Sequence, residues 1–171
     1  MGLEAKPGLH RNLYRILKER NIDVFHTLGV HDVICRLPSF VDLKEFRKIV
    51  DGILFTTQNG APIVENTSSY LVLERTGPKS PNKPTAFFFL RSGKLQSREQ
   101  FDKTVTDVYN INGVLAVSTA VGQFDLICEI ESPNLAELKS IVNTIVSTPG
   151  VSVRATMVCM VVGSETTEAT K

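Results

Sequence analysis

The sequence predicts an α+β protein made of two ferredoxin-like βαββαβ repeats, the first lacking a clear opening strand, packed sheet to sheet as a pseudo-dimer. Three observations predict it. The string GQFDLICEI, from Gly122 to Ile130, is anticipated by GVHDVICRL, from Gly29 to Leu37. The match continues downstream, where DLKEFRKIVDGI (Asp42 to Ile53) answers NLAELKSIVNTI (Asn134 to Ile145), with Leu43, Ile49, Val50 and Ile53 facing Leu135, Ile141, Val142 and Ile145. Apolar periodicity in the second half alternates between strand and helix in the order strand, helix, strand, strand, helix, strand.

The second repeat is complete. TAFFFLRS (Thr85 to Ser92) is a continuous apolar run suited to a buried strand. Ser97 and Gln100 stand at capping-box spacing before a helix that carries Phe101, Val105 and Val108 on one face. GVLAVSTAVG and DLICEIES then form a hairpin, the second strand setting Leu126, Cys128 and Ile130 on one face and Ile127, Glu129 and Glu131 on the other. A helix from about Asn134 has Leu135, Leu138, Ile141, Val142 and Ile145 as its stripe. Thr148, Pro149 and Gly150 stop it, and a strand spans Val151 to Val162.

The first repeat starts on a helix with Leu9, Leu13, Ile16 and Leu17 on one face, followed by DVFHTLG, DVICRLP, a helix from about Val41 to Leu54, and VENTSSYLVLE as a single closing strand. Residues 1 to 8, MGLEAKPG, are too short and too polar to promise a central strand. The expected organisation is a first repeat over 1–75, a linker over 76–84 rich in Gly, Pro, Ser and Lys, a second repeat over 85–163, and a disordered polar tail over 164–171.

Composition narrows function. With 171 residues, 42% apolar, 22% charged and a net charge of +1, the chain has the profile of a globular protein and not of one that coats nucleic acid. Arg11, Arg15 and Lys18 repeat at helical spacing, which describes a solvated face opposite Leu9, Leu13 and Leu17 before it describes a DNA contact. Three scattered cysteines, Cys35, Cys128 and Cys159, suggest small core residues of a reducing compartment, with no zinc spacing. No apolar run approaches membrane-spanning length, so a cytoplasmic protein without cofactor is expected.

The second repeat resembles the effector-binding domain of the Lrp/AsnC family of prokaryotic transcriptional regulators. Gly122, Phe124 and Asp125 match its turn, Pro149, Gly150 and Val151 its helix stop, and Thr156 its last strand. The likeness is weaker over Leu9 to Arg75, where His31 replaces the aromatic and no Pro-Gly-Val occurs. The family usually carries a helix-turn-helix domain before this one, and here a single helix precedes the first hairpin. The resemblance implies a non-enzymatic regulator that binds a small effector, an amino acid first of all, at a repeat or subunit interface. It also implies homo-oligomers, little direct DNA binding by this chain, and output through a protein partner or a DNA-binding domain outside it. The alternatives are an interaction module without ligand and an ACT-like regulatory subunit of a metabolic enzyme.

The candidate effector residues are Gly122, Phe124, Asp125, Arg154 and Thr156, with Gly29, His31 and Asp32 at the matching turn. A carboxylate in a Gly-flanked turn caps backbone N–H groups more often than it binds a ligand, yet it also suits an effector ammonium. Arg154 favours a carboxylate or phosphate, and N–H groups near Gly122 and Thr156 offer the same. His31, on a turn, is expected at the surface or as a cap.

Overall fold

The computed structural model describes residues 1–37, 42–91, 97–151 and 155–162. Its described residues divide into two compact units, Met1–Ser69 with Val162, and Tyr70–Val161, and the tail expected over 164–171 lies outside them.

The first unit runs β1 (Gly2–Ala5), α1 (His10–Glu19), β2 (Asp23–Leu28), β3 (Val33–Arg36), α2 (Leu43–Leu54), a small hairpin of β4 (Thr57–Gln58) and β5 (Ala61–Pro62), and β6 (Val64–Ser68). Its sheet order is β6-β1-β3-β2 with antiparallel pairing throughout. That is the βαββαβ arrangement with the opening strand present. The expectation of a missing strand is therefore corrected: Gly2 to Ala5 lies in the middle of the sheet, with Leu3 fully buried. Its four residues suffice because Leu3 and Ala5 join Leu13, Leu17, Val33, Cys35, Ile53 and Ile63 in one core. Gly2 sits against the His31 ring, where an added Cβ would overlap the imidazole carbons.

The second unit runs β7 (Leu71–Thr76), β8 (Ala86–Arg91), α3 (Arg98–Tyr109), β9 (Val114–Val121), β10 (Leu126–Ile130), α4 (Leu135–Val146) and β11 (Ala155–Val161). Its order is β11-β8-β10-β9-β7, again antiparallel. Ala86, Phe88 and Leu90 of β8 pack with Leu126, Cys128 and Ile130 of β10 and with Leu138 and Ile145 of α4, as the alternation requires. The caps follow the same logic: Ser97 accepts from the Gln100 N–H, Asp42 from Glu45 and Asn134 from Glu137, at 3.2, 2.8 and 2.9 Å.

One expected strand divides. VENTSSYLVLE is not a single closing strand: Val64–Ser68 completes the first unit, and the chain from Leu71 pairs with β9 of the second. A βαββαβ sheet leaves its second strand at an edge, and β7 covers the hydrogen-bonding groups that β9 would otherwise expose. Part of the expected linker is likewise tied to the second unit. The Lys79 N–H donates to the Leu115 carbonyl at 3.0 Å, the Lys79 ammonium lies 4.4 Å from the centre of the Tyr109 ring, and Asn82 donates to Glu131 at 2.7 Å.

Candidate effector turns and charged clefts

The two Gly-to-Asp turns are built alike. Gly29 and Gly122 have φ of 154° and 155°. The Thr27 N–H donates to the Asp32 carbonyl at 2.8 Å, and the Ala120 N–H to the Asp125 carbonyl at 2.9 Å. In turn, the Asp32 N–H donates to Leu3 of β1 at 2.9 Å and the Asp125 N–H to Leu90 of β8 at 3.1 Å. Each aspartate thus joins a hairpin to the opening strand of its own unit. The Asp32 carboxylate has a defined task, accepting the Ala5 N–H at 2.9 Å, and is a cap in the plain sense.

His31 is not the surface residue expected of a lone turn histidine. It is 2% exposed, with its Nδ1 3.8 Å from a Glu4 carboxylate oxygen, and Thr27 Oγ1 donates to its carbonyl at 2.6 Å. Burial lowers its pKa, against the raising influence of Glu4. It occupies the place that Phe124 holds in the second unit, and Phe124 is also buried, packed on Phe89 and Tyr70 at ring-centre distances of 5.8 and 6.1 Å. An aromatic ring is what both turns need there.

The structure brings Gly122, Phe124, Asp125 and Thr156 to one end of the second sheet. Leu90 is the link: its carbonyl receives the Asp125 N–H, and it is the register partner of both Leu126 and Thr156. Thr156 is exposed, and Asp125 half-buried. Gly29, His31 and Asp32 form the matching group in the first unit. Arg154 lies outside the described residues.

Two features escaped the sequence reading. Glu129, on the second face of β10, is 5% exposed and holds Arg75 through both of its carboxylate oxygens at 3.0 to 3.2 Å. Alternation in DLICEIES placed Glu129 opposite the core, but nothing local points to a partner 54 residues upstream. The other feature is a pair of clefts, about 720 Å³ in the first unit and about 900 Å³ in the second, neither lined by the turn aspartates. Among the described residues, no cluster of His, Cys, Asp and Glu could hold a metal ion, and no helix is long and apolar enough to cross a membrane.

Comparison with known families agrees with this geometry. Residues 85–169 match the family model of the Lrp/AsnC ligand binding domain. No curated protein matches the chain.

Proposed function

Since residues 85–169 belong to the Lrp/AsnC ligand-binding family, a regulatory and non-catalytic domain type, we propose that this protein senses an amino acid and passes the signal on through its state of assembly. The observation that carries the reading is the Gly122–Asp125 turn. It presents a half-buried carboxylate beside a glycine and an exposed Thr156, on a backbone fixed to Leu90. Asp125 would receive the effector's ammonium, and Thr156 with N–H groups near Gly122 its carboxylate.

In this reading the first unit is a diverged copy of the second. The shared strand order, the two equal turn glycines and the paired aspartate hydrogen bonds support it. The effector acts by its different affinity for two arrangements of the paired folds, and the output is a partner or a DNA-binding segment outside this chain. Exposed apolar side chains on the outer strand, Leu71 and Leu73, with Val121 beside them, support assembly into homo-oligomers and also favour the second reading, an interaction module without ligand.

The test is a calorimetric screen of the twenty amino acids on the full chain. Asp125→Asn is expected to weaken the binding found by about 1.5 to 3 kcal/mol, the scale of a lost charge-assisted hydrogen bond, with the fold intact. A screen in which no amino acid binds a well-folded, empty sample would transfer the conclusion to the interaction module.

A further inference from the structure

The two clefts stand at the same place in their units. In the first, the end of α1, the start of β2, the end of β3 and one face of α2 enclose it. In the second, the chain after α3, the start of β9, the chain after β10 and one face of α4 do so. The helix positions correspond through the repeated strings: Ile49 with Ile141, Gly52 with Thr144, Lys48 with Ser140.

What differs is charge. The first cleft sets Arg20 and Lys48 against Glu45; Arg36 and Asp23 touch its rim, but their side chains pair with each other beside Phe25 on the sheet face away from α1 and α2. At the matching places the second unit has Asn110 as the cap of α3 where Arg20 caps α1, and Ser140 for Lys48. Its own cleft carries Glu131 and Glu137 with Lys79. A cationic lining has been built, or kept, on one side only.

One of the two cations is held in place. Arg20 donates from Nη1 to the Gly52 carbonyl at 2.6 Å and to Thr56 Oγ1 at 3.1 Å, so the N–H groups on Nε and Nη2 are those left to meet an incoming anion. Lys48 stands exposed on α2 as a second charge on a flexible stem. Ile22, Ile49 and Ile53 give the cleft an apolar wall, and its volume falls within the range of about 300 to 1,000 Å³ usual for small-molecule sites.

We propose that the cleft of the first unit binds a small organic anion, a carboxylate with an apolar body, and that the second cleft does not. The anionic head would sit between Arg20 and Lys48 and the body against the isoleucines. This site is separate from the effector turns, so each can fail without the other.

The experiment is a 15N NMR titration of the full chain with hexanoate, inorganic phosphate and hexylamine in turn. Hexanoate is expected to shift amides of residues 20–23, 36–37 and 48–53 saturably. Phosphate, lacking the apolar body, should bind far more weakly, and hexylamine should leave those amides in place. Lys48→Glu, an exposed change on a helix surface, should weaken hexanoate by about tenfold or more. The proposal is overturned if hexanoate gives no saturable shift there, if hexylamine shifts the same amides equally, if the shifts fall on residues 137–144 or 122–125 instead, or if Lys48→Glu leaves the affinity unchanged.

Discussion

Asp32 offers the sharpest stability test because its partner is known and buried. Its carboxylate accepts the Ala5 N–H at 2.9 Å, and Ala5 is 8% exposed in a strand that lies between two others. A hydrogen bond to a charged group contributes about 1.5 to 3 kcal/mol net, and an orphaned buried N–H costs about 1 to 3 kcal/mol. Asp32 itself is half-buried, so water can partly replace the lost oxygen. Asp32→Ala should therefore cost about 2 kcal/mol, while Asp32→Asn, which keeps an acceptor and loses only the charge, should cost about half as much. Urea denaturation followed by far-UV circular dichroism measures both, and amide exchange at Ala5 reports the site directly. If Asp32→Ala unfolds with the wild-type midpoint, or Asp32→Asn is the worse of the two, the carboxylate is not holding β1.

The remaining predictions follow from equally local arrangements. Arg75→Ala, which takes the bidentate cation from the buried Glu129 carboxylate, should cost about 3 kcal/mol, and Arg75→Met with Glu129→Met should recover most of it; a chemical-denaturation double-mutant cycle showing simple additivity would contradict the pairing. His31 is held neutral by burial, which outweighs Glu4 and Asp32, while the nearby Met1 amino group also opposes its charge. The unfolded chain then binds the extra proton, so stability should fall below pH ~6.5 by up to about 1.4 kcal/mol per pH unit, and His31→Phe should flatten that part of the thermal-melt profile. Gly150 has φ of 89°, and a Cβ there would overlap Thr104 Oγ1, so Gly150→Ala should lower stability by at least about 1 to 2 kcal/mol; a melting temperature equal to wild type would mean that the turn after α4 rearranges freely.

The long, strongly periodic elements were legible in the sequence. Helices α2, α3 and α4 each have an apolar stripe, so their type could be read; Ser97 and Asn134 marked the starts of α3 and α4, while α2, expected from about Val41, begins at Leu43 behind the Asp42 cap. The strand β1 could not: with four residues and one large apolar side chain it has no period to detect, and its burial comes from partners around residues 33–34 and 64–68. The division of the stretch after Ile63 into two strands was hidden for a related reason. Both halves read as strand, and which sheet each joins depends on an open edge of β9 about forty residues later. At the candidate site, the glycines and aspartates were visible because turn chemistry is local. The burial of His31 was not, because it depends on Gly2 and Glu4 coming to rest beneath the ring.

The two roles of the turn aspartates are compatible, which bears on how a sensor could arise from a scaffold. An ionised carboxylate offers about four lone-pair sites, and the bond from Ala5 to Asp32 uses one of them. A carboxylate already fixed by a backbone donor has less rotamer freedom left to lose when an ammonium arrives, so capping prepares the group for binding. The same reasoning explains which substitutions the two halves tolerate. Backbone bonds at Asp32 and Asp125 coincide, because they join each hairpin to its opening strand and the sheet fails without them. Side chains at matching positions have diverged in character, His31 against Phe124, Arg36 against Glu129, Lys48 against Ser140. The difference in anion preference between the two clefts should therefore follow the Lys48 and Ser140 pair, and exchanging them should move anion affinity between the clefts while leaving the hairpin bonds at both aspartates in place.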